Sequence, residues 1–237
     1  MIEIETRKYG LLRIKQIWYA QTPRDVTGCD IVMYHYPENE PTEKGSFLEQ
    51  RSKIQCLDLT KPIERIYQEF DRNTQKEIRR ARKEAFRVSV NEDYAEFLTL
   101  LNKFIGAKKL NVPKIAFDDI KHQTHLLVNI FKADQLLASD FAGLQGSSIF
   151  LLWICNSKPL GENKKLVSMA SRLAHFEAMK WGKENGYKEF SVGALTSNLS
   201  PNKQFKKGFG GYEKEIKTYI KIYNPILKLL NMALKIL

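Results

Sequence analysis

The sequence predicts an α/β fold, a mixed central sheet flanked by helices, and three observations predict it. Two β-rich runs, Gln135 to Leu144 and Ser147 to Cys155, are joined by Gln145-Gly146, a hairpin signal. A long helical pattern follows from about Lys164 to Asn185 and stops at Gly186. Lys188 to Val192 then reads as a strand entering a Gly/Asn/Ser/Pro loop, and Glu213 to Tyr223 as another.

The elements before the hairpin follow in order. Residues 1–60 form a β-rich segment with strands at Leu11 to Ala20, Cys29 to Tyr36 and Ser52 to Leu59. Thr60 is placed to cap a helix with Pro62 in its first turn, and Ile63, Ile66, Tyr67 and Phe70 recur at helical spacing. Asp71 to Glu84 is a strongly basic helix carrying Arg72, Lys76, Arg79, Arg80, Arg82 and Lys83. Phe86 to Val90 alternates as a short strand. Asp93 to Ile105 is an amphipathic helix, and Asp118 to Ile130 is expected to be another. The main domain spans 61–225, and residues 226–237 form an amphipathic tail.

Composition narrows the setting. The 237 residues hold 38 Lys and Arg against 27 Asp and Glu, a net charge of +11 that favours anionic partners such as nucleic acid, cofactor phosphates or lipid headgroups. Cys29, Cys56 and Cys155 lack C-x-x-C spacing, and no run reaches the length of a membrane span. Free thiols and a cytoplasmic setting follow as expectations. The histidines His35, His122, His125 and His175 are scattered and make no metal-ligand set, so no metal is expected. Surface or packing roles are expected for His122 and His125.

Three stretches resemble the Fem-type peptidoglycan aminoacyltransferases and related acyltransferases: Arg79-Arg80-Ala81-Arg82-Lys83, the helix–Gly–strand junction Glu177 to Lys188, and Phe205-Lys206-Lys207-Gly208-Phe209-Gly210-Gly211. The last is similar to a late F-K-x-x-F-G signature whose Phe-Lys pair lies in the substrate site. The element order likewise resembles the GNAT-like acetyltransferase fold, with the N-terminal half reduced to a β-rich segment. Family members carry Asp where this chain has Ser191. Their helical arm has no counterpart in a heptad segment here.

Acyl transfer to an amine needs a neutral amine, a stabilised oxyanion and a proton for the leaving group. The resemblance makes Lys206 the first candidate, as an oxyanion or phosphate contact with Phe205 packed beside it and Lys207 next to it. Two solvated lysines before a Gly turn would look the same. Asn198, Ser200 and Asn202 can turn backbone N–H groups toward a ligand. Glu177 falls in the apolar arc through Ala170, Leu173, Ala174 and Trp181, where it would serve as a base or as a buried partner of an Arg or a backbone N–H. Asp140 orients the amine or faces water at the sheet edge. Arg79 and Arg82 suit a phosphate-bearing substrate.

The implied activity is N-acyl transfer from acyl-CoA to an amine of an envelope sugar, peptide or lipid precursor. An aminoacyl donor on tRNA and a non-catalytic anion- or membrane-binding module are the alternatives. The tail, with Pro225 at its start, would pack on the protein or touch the inner membrane face.

Overall fold

A computed structural model describes residues 2–8, 12–43, 45–110, 114–121, 124–194 and 200–234. The chain divides into two compact units, 53–214 and 1–52 with 215–237.

The larger unit holds the strands β4 (Leu48–Asp58, from residue 53), β5 (Phe86–Val90), β6 (His125–Lys132), β7 (Gln135–Gln145), β8 (Ser148–Asn156) and β9 (Glu189–Ala194). Their order is β4-β9-β8-β7-β6-β5. All pairs are antiparallel except β8 with β9. One face carries α1 (Ile63–Gln68), α2 (Arg72–Ala81) and the long α4 (Lys164–Glu184), which buries Val167, Ala170, Leu173, Ala174 and Ala178 against Leu126, Val128, Ile130 and Ile149. The other carries α3 (Tyr94–Ala107), whose Phe97 stacks on Phe141 with centroids 5.5 Å apart. Small residues bring α4 close: a side chain at Gly182 would start 2.5 Å from Ile149 Cδ1.

The smaller unit orders β1 (Ile2–Lys8), β2 (Leu12–Trp18), β3 (Ile31–His35) and the main part of β10 (Tyr212–Ile222) as β1-β2-β3-β10. Ile17, Val32, Tyr34 and Tyr219 fill its core. It ends in α6 (Pro225–Leu234), where Asn224 Oδ1 accepts the N–H groups of Ile226 and Leu227 and Pro225 begins the helix as expected. The units therefore differ from the expected 1–60, 61–225 and 226–237, because β10 runs back to pair with β3.

Two expectations about elements are corrected. Asp118 to Ile130 is not a helix: Phe117–Asp119 is one 3-10 turn and His125–Lys132 is β6. Six successive β6 residues are buried because helices cover both faces of the sheet, so the strand shows no alternation. Thr60 does not cap α1. Its N–H and hydroxyl both donate to Asp58 Oδ1, and Pro62 takes the N-cap position. The strand Ile2–Lys8 was also not among those predicted. Cys29, Cys56 and Cys155 are free and buried. No described helix is long and apolar enough to cross a membrane.

Candidate functional site

The site begins where the sheet opens. Parallel β8 and β9 pair at only three positions, Ser148–Glu189, Ile149–Phe190 and Phe150–Ser191. Past them β8 stays with β7 as far as Asn156, while β9 stays with β4 through Ala194 and Ile54. The backbone edges that face each other beyond Phe150 and Ser191 therefore have no ladder between them. β8 also bulges here. Ala142 faces Leu151 and Phe141 faces Trp153, which leaves Leu152 as the extra residue. On β9 the chain turns at Gly193, φ +86°, and Ser191 Oγ accepts the Gly193 N–H at 3.1 Å.

Lys206 reaches this opening from α5 (Ser200–Lys207). Its Nζ lies 3.3 Å from the point where a Gly193 side chain would begin, and the Leu151 carbonyl oxygen is 3.7 Å from that point. Burial lowers the pKa of the amine. Tight backbone contacts fix the end of α5. Asp71 N–H donates to the Gly208 carbonyl at 2.8 Å, and a side chain at Gly208 would start 2.6 Å from Thr74 Oγ1. A larger residue there would have to push Thr74 aside. Lys207 by contrast is exposed and paired with Glu213 at 3.3 Å.

Behind Lys206 lies the candidate Asp140, paired with a histidine that the sequence does not single out. His175 of α4 and Asp140 of β7 are buried, with Nδ1 and Oδ2 2.6 Å apart in a contact bent away from regular hydrogen-bond geometry. Burial pushes the Asp140 carboxyl above its usual range, and His175 pulls the other way. Asp140 therefore does not face water at a sheet edge. The imidazole stacks on Phe209 (centroids 5.0 Å, 19°) and meets the edge of Phe205 (5.1 Å, 88°). The two aromatic residues of the F-K-K-G-F stretch thus close around one histidine. One signal was available: Ser171, His175, Ala178 and Gly182 recur at helical spacing, a stripe of small residues with a single ring.

The remaining candidates lie elsewhere. Two residues from His175 on a helix is about 200° around the axis. Glu177 accordingly turns toward Arg82 and Lys180, and burial raises its pKa against both cations. Arg82 lies over the rings of Phe176 and Tyr67, at 4.7 and 5.8 Å. Arg79 belongs to an exposed stripe with Arg72, Lys76 and Arg80 of α2 and Lys83 just past it, opposite the buried Thr74, Ile78 and Ala81. Asn198 lies outside the described residues, as do His122 and the side chains of Ser200 and Asn202. His125 packs on Phe141, with Nε2 2.7 Å from the Tyr94 hydroxyl. Beside α5 a cleft of about 560 Å³ is walled by Asp71, Asn73, Ser168, Arg172 and Phe205. Arg172 is held there by Glu77 at 2.7 Å, above the Phe205 ring. Among the described residues no cluster of His, Cys, Asp and Glu could hold a metal ion.

Compared with protein-family profiles and with curated proteins, the sequence matches none. Its fold does match solved structures. FemX superposes with a TM-score of 0.63 at 12% identity, covering 96% of this chain and 85% of FemX. The C-terminal domain of a putative lysylphosphatidylglycerol synthetase from Agrobacterium fabrum gives 0.56 at 11% identity, over 86% of this chain and 71% of the other. L-PGS from Bacillus licheniformis gives 0.56 at 14%, again over 86% and 71%. At such identities the likeness is one of fold. The chain shares the mixed α/β fold of these three proteins.

Proposed function

We propose that the chain is an N-acyltransferase that takes an acyl group from a thioester such as acyl-CoA and gives it to an amine of a cell-envelope sugar, peptide or lipid precursor. The observation that carries this reading is the half-buried Lys206 amine at the opening between β8 and β9. An amide-bearing donor arm can pair with the open strand edges there, as an added strand does. The carbonyl then lies beside Lys206 Nζ. The neutral acceptor amine attacks the carbonyl carbon, and the tetrahedral oxyanion is met by Nζ–H in a site shielded from water. As the C–S bond breaks, the thiolate takes a proton and the new amide nitrogen loses one. An amine with a lowered pKa gives up a proton more readily than a solvated lysine, which suits Lys206 as that donor. The proposed setting is the cytoplasm at the inner membrane face, where lipid-linked acceptors and CoA donors meet.

A second reading, an aminoacyl donor on tRNA, is favoured by one observation, the exposed cationic stripe of α2. It also fits the lysyl transfer that the name lysylphosphatidylglycerol synthetase implies for that neighbour.

Purified protein assayed side by side with acetyl-CoA and with charged tRNA separates the readings. Lys206→Ala is expected to abolish transfer while its Tm stays within a few degrees of the parent. Normal turnover in that variant sinks the assignment of Lys206. Binding of neither donor favours a non-catalytic anion-binding module.

A further inference from the structure

We infer that the Asp140–His175 pair is a positioning device for Lys206, which it places by locking the two phenylalanines on either side of it. Its purpose rests on the transfer reading above; its geometry does not.

Fold stability gives no reason for this pair. Two ionisable groups without solvent contact cost desolvation, and well-packed apolar residues of similar size commonly serve a core as well or better. Nε2 of His175 is buried with no hydrogen-bond partner, a further cost. What the pair does supply is orientation. Rotation of an imidazole about its Cβ–Cγ bond is soft, because that torsion joins sp³ and sp² atoms. A carboxylate oxygen 2.6 Å from Nδ1 selects one setting. In that setting the ring presents its face to Phe209 and meets the edge of Phe205, while the two phenyl rings meet each other at 5.5 Å and 73°. The three rings form a closed triangle, so turning one displaces the others.

Phe205 immediately precedes Lys206, and Phe209 N–H donates to the Lys206 carbonyl at 3.2 Å. Fixing both phenylalanines fixes the Lys206 backbone from both sides, and from that backbone its amine reaches Gly193. Asp140 also lies on β7 next to Phe141, where the bulge in β8 begins. The buried contact joins β7 to α4, and the packed rings of Phe205 and Phe209 carry that link on to α5. His175 is fully buried beneath Phe209 and Phe205, so no substrate touches it and its role runs through them.

The test needs no substrate. In full-length protein with lysines ¹³C-dimethylated, the Lys206 signal is assigned by its loss in Lys206→Arg. It is expected to lie apart from the solvated lysines. Asp140→Asn keeps an oxygen for Nδ1–H and should leave the signal in place. Asp140→Leu fills the core but cannot hold the ring, so the signal should move to the solvated group while circular dichroism stays native. His175→Ala should do the same; if it fails to fold, the two Asp140 variants decide alone. With acetyl-CoA as donor, Asp140→Leu should lower kcat about tenfold or more with little change in KM. A folded Asp140→Leu protein with the Lys206 signal unmoved overturns the inference, as does an Asp140→Asn protein that behaves like Asp140→Leu. If Lys206→Ala turns over normally, the transfer reading falls, but the position of the Lys206 signal still tests the pair.

Discussion

In the proposed transfer Lys206 meets the reacting carbonyl, and its burial has a consequence for stability. Its pKa is lowered from 10.5 by desolvation. The protonated form is thus disfavoured in the folded protein relative to the unfolded chain. That penalty is present in full below the lowered folded value and fades as pH rises from there to the ordinary lysine range. Lys206→Met is therefore expected to raise Tm at neutral pH by a few degrees, with a gain that shrinks on the alkaline side. Scanning calorimetry across that range checks the sign. Glu177, turned toward Arg82 and Lys180, gives the opposite expectation for activity: Glu177→Gln should turn over as the parent does, and a steep loss would return it to the site. Lys206 and Asp140 were visible as candidates in the sequence, one from a motif and the other as an acid among small and apolar strand residues. His175 was not, because its meaning depends on a carboxylate from another element. The apolar arc of α4 was drawn through Glu177, whereas the face against the sheet runs through Ser171, His175 and Ala178.

At the scale of elements, the joint between α2 and α5 sets how firmly the lysine helix is held. Asp71 caps α2 by accepting the Thr74 N–H at 2.6 Å, and its own N–H donates to the Gly208 carbonyl. Asp71→Ala removes the cap and should cost about 1 kcal/mol, read by urea unfolding. Gly208→Ala places a methyl group against Thr74 Oγ1 and Asp71 Oδ2, so it should cost about 1–3 kcal/mol and also lower turnover. If Gly208→Ala keeps full activity, the joint does not position α5. The hairpin, α4 and its Gly186 stop were readable because turn residues and helical period agree with the fold. β6 was not, since a strand covered on both faces loses the alternation that identifies strands. α5 is not legible either, since its eight residues show too little periodicity to mark a helix.

Over the whole molecule the charge of +11 is not spread evenly. Arg72, Lys76, Arg79, Arg80 and Lys83 share one exposed face, while Arg172 is paired inward with Glu77. If that stripe meets nucleic acid, affinity for RNA should fall linearly with the logarithm of salt concentration, by a slope of about 0.7–0.9 per phosphate contacted. Exchanging the five cations for Gln should flatten the slope and leave the fold intact; an unchanged slope excludes the stripe. The smaller unit offers a separate test. Ile226 and Leu229 of α6 are 67% and 66% exposed, which bears on the choice between packing of the tail and membrane contact. Deleting residues 226–237 should leave the protein folded and abolish co-sedimentation with anionic vesicles. Early melting of the truncated protein would assign the tail to internal packing instead.

Gly193 leaves a last consequence. The Lys206 amine comes to rest 3.3 Å from the point where a Gly193 side chain would begin, so the candidate site is shaped partly by a missing methyl group. In a deep mutational scan under selection for activity, position 193 should therefore tolerate little: any Cβ presses on the amine and forces a left-handed backbone on a residue that resists it. Exposed positions on β4 such as Arg51 should tolerate broad exchange. The tolerance map of this protein would then mark the proposed site by a residue that brings no side chain to it.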